Sequence, residues 1–198
     1  MTTSGIVGYI LCKYDFPGKN AFFLFILATM MVPFFVFMVP LFQLIVQFGW
    51  YNSFKGLIFP GLFNSFGIFL LKQFSAAIPD ELLDAARIDG ASELRIFLRI
   101  ALPILSPALA TLAIFVSISS WGSYLWPLIV LTDHELQTLP LGLALLQLDS
   151  GQGGRGGVSF FGQMLAGNVL AVIPVLIVFF IFQRRITEGI ALTGLGGH

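Results

Sequence analysis

Ile78-Pro79-Asp80-Glu81-Leu82-Leu83-Asp84-Ala85-Ala86-Arg87-Ile88-Asp89-Gly90-Ala91-Ser92-Glu93-Leu94-Arg95-Ile96-Phe97-Leu98-Arg99-Ile100-Ala101-Leu102-Pro103 is the stretch on which this chain turns. Asp80, Glu81, Asp84, Arg87, Asp89, Glu93, Arg95 and Arg99 crowd into it, although the whole 198-residue chain carries only ten basic and ten acidic side chains. Moving eight such groups to a bilayer centre at roughly 2.5 to 3.5 kcal/mol each would cost on the order of 20 kcal/mol or more. The stretch therefore lies in water, as a cytoplasmic loop between oily segments.

Its local signals predict helix, sharp turn, helix. Pro79 suits a first helical position, where the missing N–H costs nothing, and Asp80 and Glu81 favour the positive end of the helix dipole. Gly90 is placed to be a left-handed residue closing the first helix, and Ser92 to cap the second. In that second helix Leu94, Phe97, Leu98 and Ala101 fall on one face, expected to pack, with Arg95 and Arg99 on another.

Around this loop the chain is 57% hydrophobic with a mean hydropathy of +0.93, well above an ordinary globular domain. An all-α integral membrane protein is expected. Zero net charge gives no reason to expect a nucleic-acid partner. Cys12 stands alone, His134 and His198 are isolated, and no ligand cluster is spaced for a metal, so neither metal nor cofactor is expected. No paired intramembrane Asp, His-Glu-x-x-His or Ser/His/Lys set supports a membrane-embedded enzyme, and no catalytic residue is expected.

Charge-free runs from Asn20 to Phe54, Ile100 to Thr132 and Gly156 to Gln183 each exceed the ~20 residues that cross hydrocarbon. A fourth, Gly56 to Ala77, is broken by Lys72, whose stem can snorkel to the interface. Spans are expected at about 21–48, 56–77, 104–131 and 162–183, with a loop at 79–103 and a partial leading helix at 1–12, all in one transmembrane domain, 1–198. With that loop inside, Lys13, Lys19, Lys72, Arg87, Arg95, Arg99, Arg184 and Arg185 are cytoplasmic and only Lys55 and Arg155 are outside. The C-terminus is then cytoplasmic, and the glycine-rich connection from Asp133 to about Val158 a flexible outer loop. Its glycines lack the Gly-Lys-Ser/Thr ending of a phosphate-binding loop. Pro33, Pro40, Pro60, Pro107, Pro127 and Pro174 predict kinked spans.

Asp84-Ala85-Ala86, three residues, Gly90, nine residues, then Ile100-Ala101-Leu102-Pro103 resembles the Glu-Ala-Ala signature of ABC importer permeases, with Asp84 in place of the usual Glu. The resemblance implies a polytopic helical bundle of the type I importer kind, here four full spans plus a partial leading helix. It implies that Asp84, Ala85, Ala86, Asp89, Gly90, Ile100, Leu102 and Pro103 belong to coupling helices seated in a cleft of an ATPase subunit. A solvated charged loop with a plain turn is the alternative.

Phe16-Pro17-Gly18 is similar to the loop after the second helix of sugar-importer permeases, so Met1 would fall inside that helix, and the resemblance covers about the last two thirds of a typical member. Phe182-Gln183-Arg184-Arg185 and Glu188-Gly189 are similar to the smaller of the two carbohydrate-importer permeases. Its implied partners are a second homologous permease, two ATP-binding cassette subunits, an extracytoplasmic solute-binding protein and inner-membrane lipid. A passive channel or scaffold uncoupled from ATP is the alternative function.

Small and polar residues recur after the loop. Ser117, Ser120, Trp121 and Tyr124, with Asn168 on the last span, are candidates for a translocation path. Ser120-Trp121-Gly122-Ser123-Tyr124-Leu125-Trp126-Pro127-Leu128 resembles a family segment reading Ser-Trp-Asn-Asp/Glu-Phe-Leu-Trp-Pro-Leu, with Gly122 and Ser123 replacing its amide and acid. Helix packing with an outer aromatic belt is the competing reading for that segment, and a packing hydrogen bond for Asn168.

Overall fold

A computed structural model describes the backbone of residues 1–153 and 158–194 and the side chains of 1–148 and 161–182. The described residues are helical: α1 Thr2–Lys13, α2 Lys19–Met31, α3 Phe34–Gln47, α4 Phe54–Gly61, α5 Ser65–Ala76, α6 Asp80–Ile88, α7 Glu93–Ile96, α8 Leu102–Ile104, α9 Ser106–Trp121, α10 Leu125–Val130, α11 Leu139–Gly153 and α12 Val158–Gly194. A π-helical turn, Phe97–Ala101, joins α7 to α8, and a 3-10 turn, His134–Leu136, precedes α11.

By length and composition, Phe54–Ala76 and Phe161–Phe182 can each cross a membrane. Two bent pairs, Lys19–Met31 with Phe34–Gln47 and Glu93–Ile104 with Ser106–Trp121, qualify if each pair is one span. The kinks expected from the prolines are in two of the segments full breaks between helices. Val32 is extended (φ −84°, ψ 121°), the conformation that a following proline, here Pro33, imposes on its predecessor. Asn64 starts α5 afresh: its side chain accepts the Gly67 N–H at 2.6 Å. Exposed apolar side chains such as Leu24 (66%), Phe35 (68%) and Phe161 (66%) suit a lipid solvent.

The chain divides into two compact units. One comprises Met1–Pro33 and Leu62–Ala113 with the segment from Arg184; the other comprises Phe34–Gly61 and Ile114–Gln183.

In the first unit α1 lies along α5 through small residues. A Cβ on Gly8 would stand 2.9 Å from the Lys72 nitrogen and 3.0 Å from the Ile68 oxygen, and one on Gly67 would stand 2.9 Å from Ser4 Oγ. Small residues let helix backbones approach this closely, and in lipid such packing replaces the hydrophobic effect as the source of association. Thr3 Oγ1 donates to the Leu62 carbonyl at 2.7 Å, tying the start of α1 to the chain before α5. The Lys72 ammonium sits 4.1 Å over the Phe23 ring, so its charge is met by an aromatic face.

In the second unit the turn before α4 is stitched to the end of α10. Asn52 Oδ1 accepts the backbone N–H groups of Thr132 (2.9 Å) and Asp133 (3.1 Å), while the Asn52 N–H donates to the Val130 carbonyl at 2.9 Å. Trp126 is buried and donates its indole N–H to the Gly56 carbonyl at 3.1 Å. The connection expected as a loop from Asp133 to Val158 holds α11 instead. Pro140 at the second position suits a helix start, and the Leu-Ala-Leu-Leu-Gln-Leu run that follows consists of strong helix formers. Gly154, Gly156 and Gly157 lie outside the described residues.

Candidate functional site

The charged stretch folds as α6, a tight turn, and α7 running into the π-helical turn. Pro79 is the residue before α6, extended at φ −61° and ψ 134°, one position earlier than its composition suggested. Asp80 and Glu81 occupy the first turn and Arg87 the last, so all three complement the helix dipole.

The turn is closed by a full set of bonds. Gly90 is left-handed at φ +78°, its N–H donates to Arg87 O at 3.0 Å, and the Ala91 N–H reaches back to Ala86 O at 3.0 Å. This six-to-one and five-to-two pair is the Schellman closure, and it satisfies carbonyls that a helix end otherwise leaves bare. Ala86 and Ala91 both pack against the same apolar cluster, the hydrophobic contact that accompanies such closures. The alanine before the turn and the glycine within it therefore have distinct jobs.

Beneath the two arms lies a core of Tyr9, Ile78, Leu83, Ile96, Ala101 and Leu105. Leu94 and Leu98, expected on the packing face, are instead 69% and 50% exposed, while Ile96 and Ala101 are fully buried. Leu94 and Ile96 precede the π-helical turn, so only the residues within and after it bear its effect. The Leu102 N–H bonds to Phe97 O, five residues back, and the extra residue per turn rotates the downstream face. Ser92 stands at the start of α7 but its side chain makes no capping bond.

Glu93 does other work. Arg87 Nε donates to Glu93 Oε1 at 2.8 Å, Arg87 Nη1 donates to Asp84 Oδ1 at 2.6 Å, and the Tyr14 hydroxyl donates to Glu93 Oε2. Lys13, at the end of α1 with only 6% of its side chain exposed, donates to the Ile78 carbonyl and to Asp80 Oδ1, both at 2.6 Å. The Arg87 guanidinium and the Tyr14 hydroxyl hold the Glu93 carboxyl below its ordinary value. Burial, and next the bond to Glu93, push the Tyr14 phenol up to about 12. Lys13, counted in the sequence among the cytoplasmic basic residues, and Tyr14, which the sequence did not single out, are thus bonded to the loop from α1. The signal that could have found them is a Lys-Tyr pair ending one helix of a protein whose carboxylates concentrate in a single loop.

Asp84, Ala85, Asp89 and Gly90 are exposed. Ile88, between them, is 87% exposed and Leu82 43%. Ile100 and Leu102 are half-buried, while Pro103 is exposed. Loop residues from both arms are therefore brought to one structure, with a mixed acidic and apolar face left bare.

The path candidates do not converge in this way. Trp121 donates its indole N–H to the Ala171 carbonyl of α12 at 2.9 Å, and with Ser117 it borders a small crevice of about 80 Å³ near Pro174. Tyr124 instead lines a separate cavity of about 710 Å³, whose walls include Phe34, Phe37, Leu44, Pro60 and Trp126. Ser120 is exposed. Asn168 donates to Met164 O, one turn back in its own helix, at 2.9 Å. Among the described residues no group of His, Cys, Asp or Glu could hold a metal ion.

Comparison with known proteins adds to this geometry. The chain is 40% identical over 194 residues to the arabinooligosaccharides transport system permease protein AraQ of Halalkalibacterium halodurans, covering 98% of this chain and 67% of that protein. It is 39% identical to AraQ of Bacillus subtilis, covering 66% of it, and 34% identical to the lactose transport system permease protein LacG of Rhizobium radiobacter. The chain thus spans about two thirds of the length of these relatives. A crystal structure of a bacterial ABC transporter involved in the import of the acidic polysaccharide alginate superposes with a TM-score of 0.75 at 29% identity, over 93% of this chain and 69% of that one. Residues 4–191 match the sequence profile of the binding-protein-dependent transport system inner membrane component, and the chain belongs to that family.

Proposed function

We propose that this chain is the transmembrane permease subunit of an ATP-driven importer of a sugar or oligosaccharide. It forms half of the translocation pathway, the other half coming from a second homologous permease. Two ATPase subunits dock on the 79–103 loop and an extracytoplasmic binding protein delivers solute. Arabino-oligosaccharides are the first solutes to test, since two relatives carry them in their names.

The helix-turn-helix carries this reading. Its exposed face sets an apolar tip, Ile88 at 87% exposure, beside Asp84 and Asp89 on a loop that must lie in water. An apolar side chain left bare among charges suits a partner's pocket, where burial and a charge-assisted bond act together. No acid or base falls near a predicted membrane midplane for a proton or cation relay, Lys72 lying toward an interface, so the energy for transport has to enter through such a contact. ATP-driven closure of the ATPase pair then moves the loop, and rigid-body motion switches the path between inward and outward opening. The bias of eight basic residues to two supports a cytoplasmic loop and C-terminus.

Asp84→Lys tests this directly. The variant should reach the membrane and keep its partner permease while losing the ATPase subunits on purification. Full ATPase retention with normal uptake in Asp84→Lys would overturn the docking assignment. Uptake that persists in cells lacking the ATPase would favour a passive channel.

A further inference from the structure

Resting on the docking role just proposed, we infer that Lys13, Tyr14 and Glu93 transmit the loop's motion to the membrane helices, with α1 as the first element moved. α1 holds both arms of the loop at once. Lys13 Nζ holds the start of the first arm, through the Ile78 carbonyl and Asp80 at 2.6 Å each. Tyr14, the next residue, holds the start of the second arm through Glu93. Arg87 closes the triangle, bonded to Glu93 across the Gly90 turn and to Asp84 on the exposed face. Tyr9, one turn earlier in α1, is 2% exposed in the core under both arms, its ring 5.2 Å from that of Phe97. A push on Asp84 therefore reaches α1 through bonds at two points and packing at a third.

Beyond α1 the connection is stiff. At Gly8 the backbone of α1 approaches that of α5 at Lys72 and Ile68 so closely that a Cβ would not fit, so a displacement of α1 bears directly on α5. In this assignment the three residues act through their bonds between α1 and the loop, not as contacts to solute or ATPase. They are positioning residues, distinct from Asp84, whose side chain faces outward.

The test uses the assembled complex of this chain, its partner permease and the ATPase subunits, in a Cys12→Ser background carrying Ile6→Cys as a reporter on the exposed side of α1. The labelling rate of that thiol is measured with and without ATP. Loss of one charge-assisted bond permits a population change on the order of tenfold, so Tyr14→Phe and Lys13→Met should shrink the ATP-dependent change in labelling by about that factor. The ATPase should still co-purify and hydrolyse ATP. Lys13→Arg should restore the response, and Glu93→Gln, which keeps an acceptor for Tyr14, should fall between wild type and Glu93→Ala. An undiminished response in Tyr14→Phe and Lys13→Met, with ATPase bound, overturns the inference. Release of the ATPase by those variants overturns it also, by making them docking residues. A wild-type chain that binds no ATPase refutes the function itself, a separate result.

Discussion

Replacing Gly90 separates backbone strain from steric crowding, because the structure leaves only the first. Its φ of +78° is left-handed, yet a Cβ built there meets nothing within 4 Å. Gly90→Ala should therefore cost only the conformational penalty, about 1 to 2 kcal/mol for an L-residue in this region. Asn, whose short side chain tolerates that conformation, should cost less, and β-branched Val more. If the ATPase binds the closed turn, these costs appear in its affinity, with about five- to thirtyfold weakening for Gly90→Ala. Titration of labelled ATPase subunits against the purified permease pair reads the series directly, with membrane abundance as a check on folding. Equal affinity across Asn, Ala and Val would refute the requirement for a left-handed residue. A larger cost for Asn than for Ala would show that side-chain space, not backbone conformation, governs the turn.

Gly8→Ala forces its Cβ to within 2.9 Å of the Lys72 backbone nitrogen, so thermal stability in detergent should fall by an amount equivalent to about 1 to 3 kcal/mol, whereas Gly142→Ala, with open space around it, should be neutral or stabilising. The Glu93 carboxyl is held below its ordinary 4.5, so its contribution is complete above about that pH and fades as pH falls through the lowered value; Glu93→Gln should flatten this acid limb of the stability profile. Tyr14 is raised from 10.0 to about 12, so its contribution is complete below pH 10 and is lost as pH rises through 12, and Tyr14→Phe should remove this alkaline limb. Single cysteines at Ser150 and Thr193, in a Cys12→Ser background, should label from opposite faces of sealed cells; labelling from one face would refute the orientation.

The loop's plan was legible because its signals are local. A proline with two acids opens a helix, and a glycine at the right distance closes it, whatever lies around them. Hydropathy likewise marked the apolar segments and Pro33 a kink in the first, but neither showed how sharp that break is or that Asn64 starts a new helix, since a transfer scale counts apolar residues and is blind to where a backbone turns. The face of the second arm was misjudged for a similar reason. Period-3.6 reasoning assumes a regular helix: of its four expected packing residues Ala101 is buried and Phe97 packs on the core, but Leu98, inside the π-helical turn Phe97–Ala101, and Leu94, before it, are exposed, and Ile96 is buried instead. The Tyr14–Glu93–Arg87 tie was invisible because its partners are 79 and 6 residues apart and meet only once α1 packs on α5. Asn168, for which a path and a packing hydrogen bond were both open in the sequence, donates one amide N–H to Met164 O in its own helix.

The claim that this permease is driven through its loop is tested most directly by uptake of radiolabelled arabino-oligosaccharide into lipid vesicles holding the chain and its partner permease, with ATPase subunits and binding protein added or omitted. Accumulation against a gradient should require internal ATP, both added components and an intact Asp84. Equilibration of solute across vesicles that lack the ATPase, at the rate seen with the full set, would contradict it.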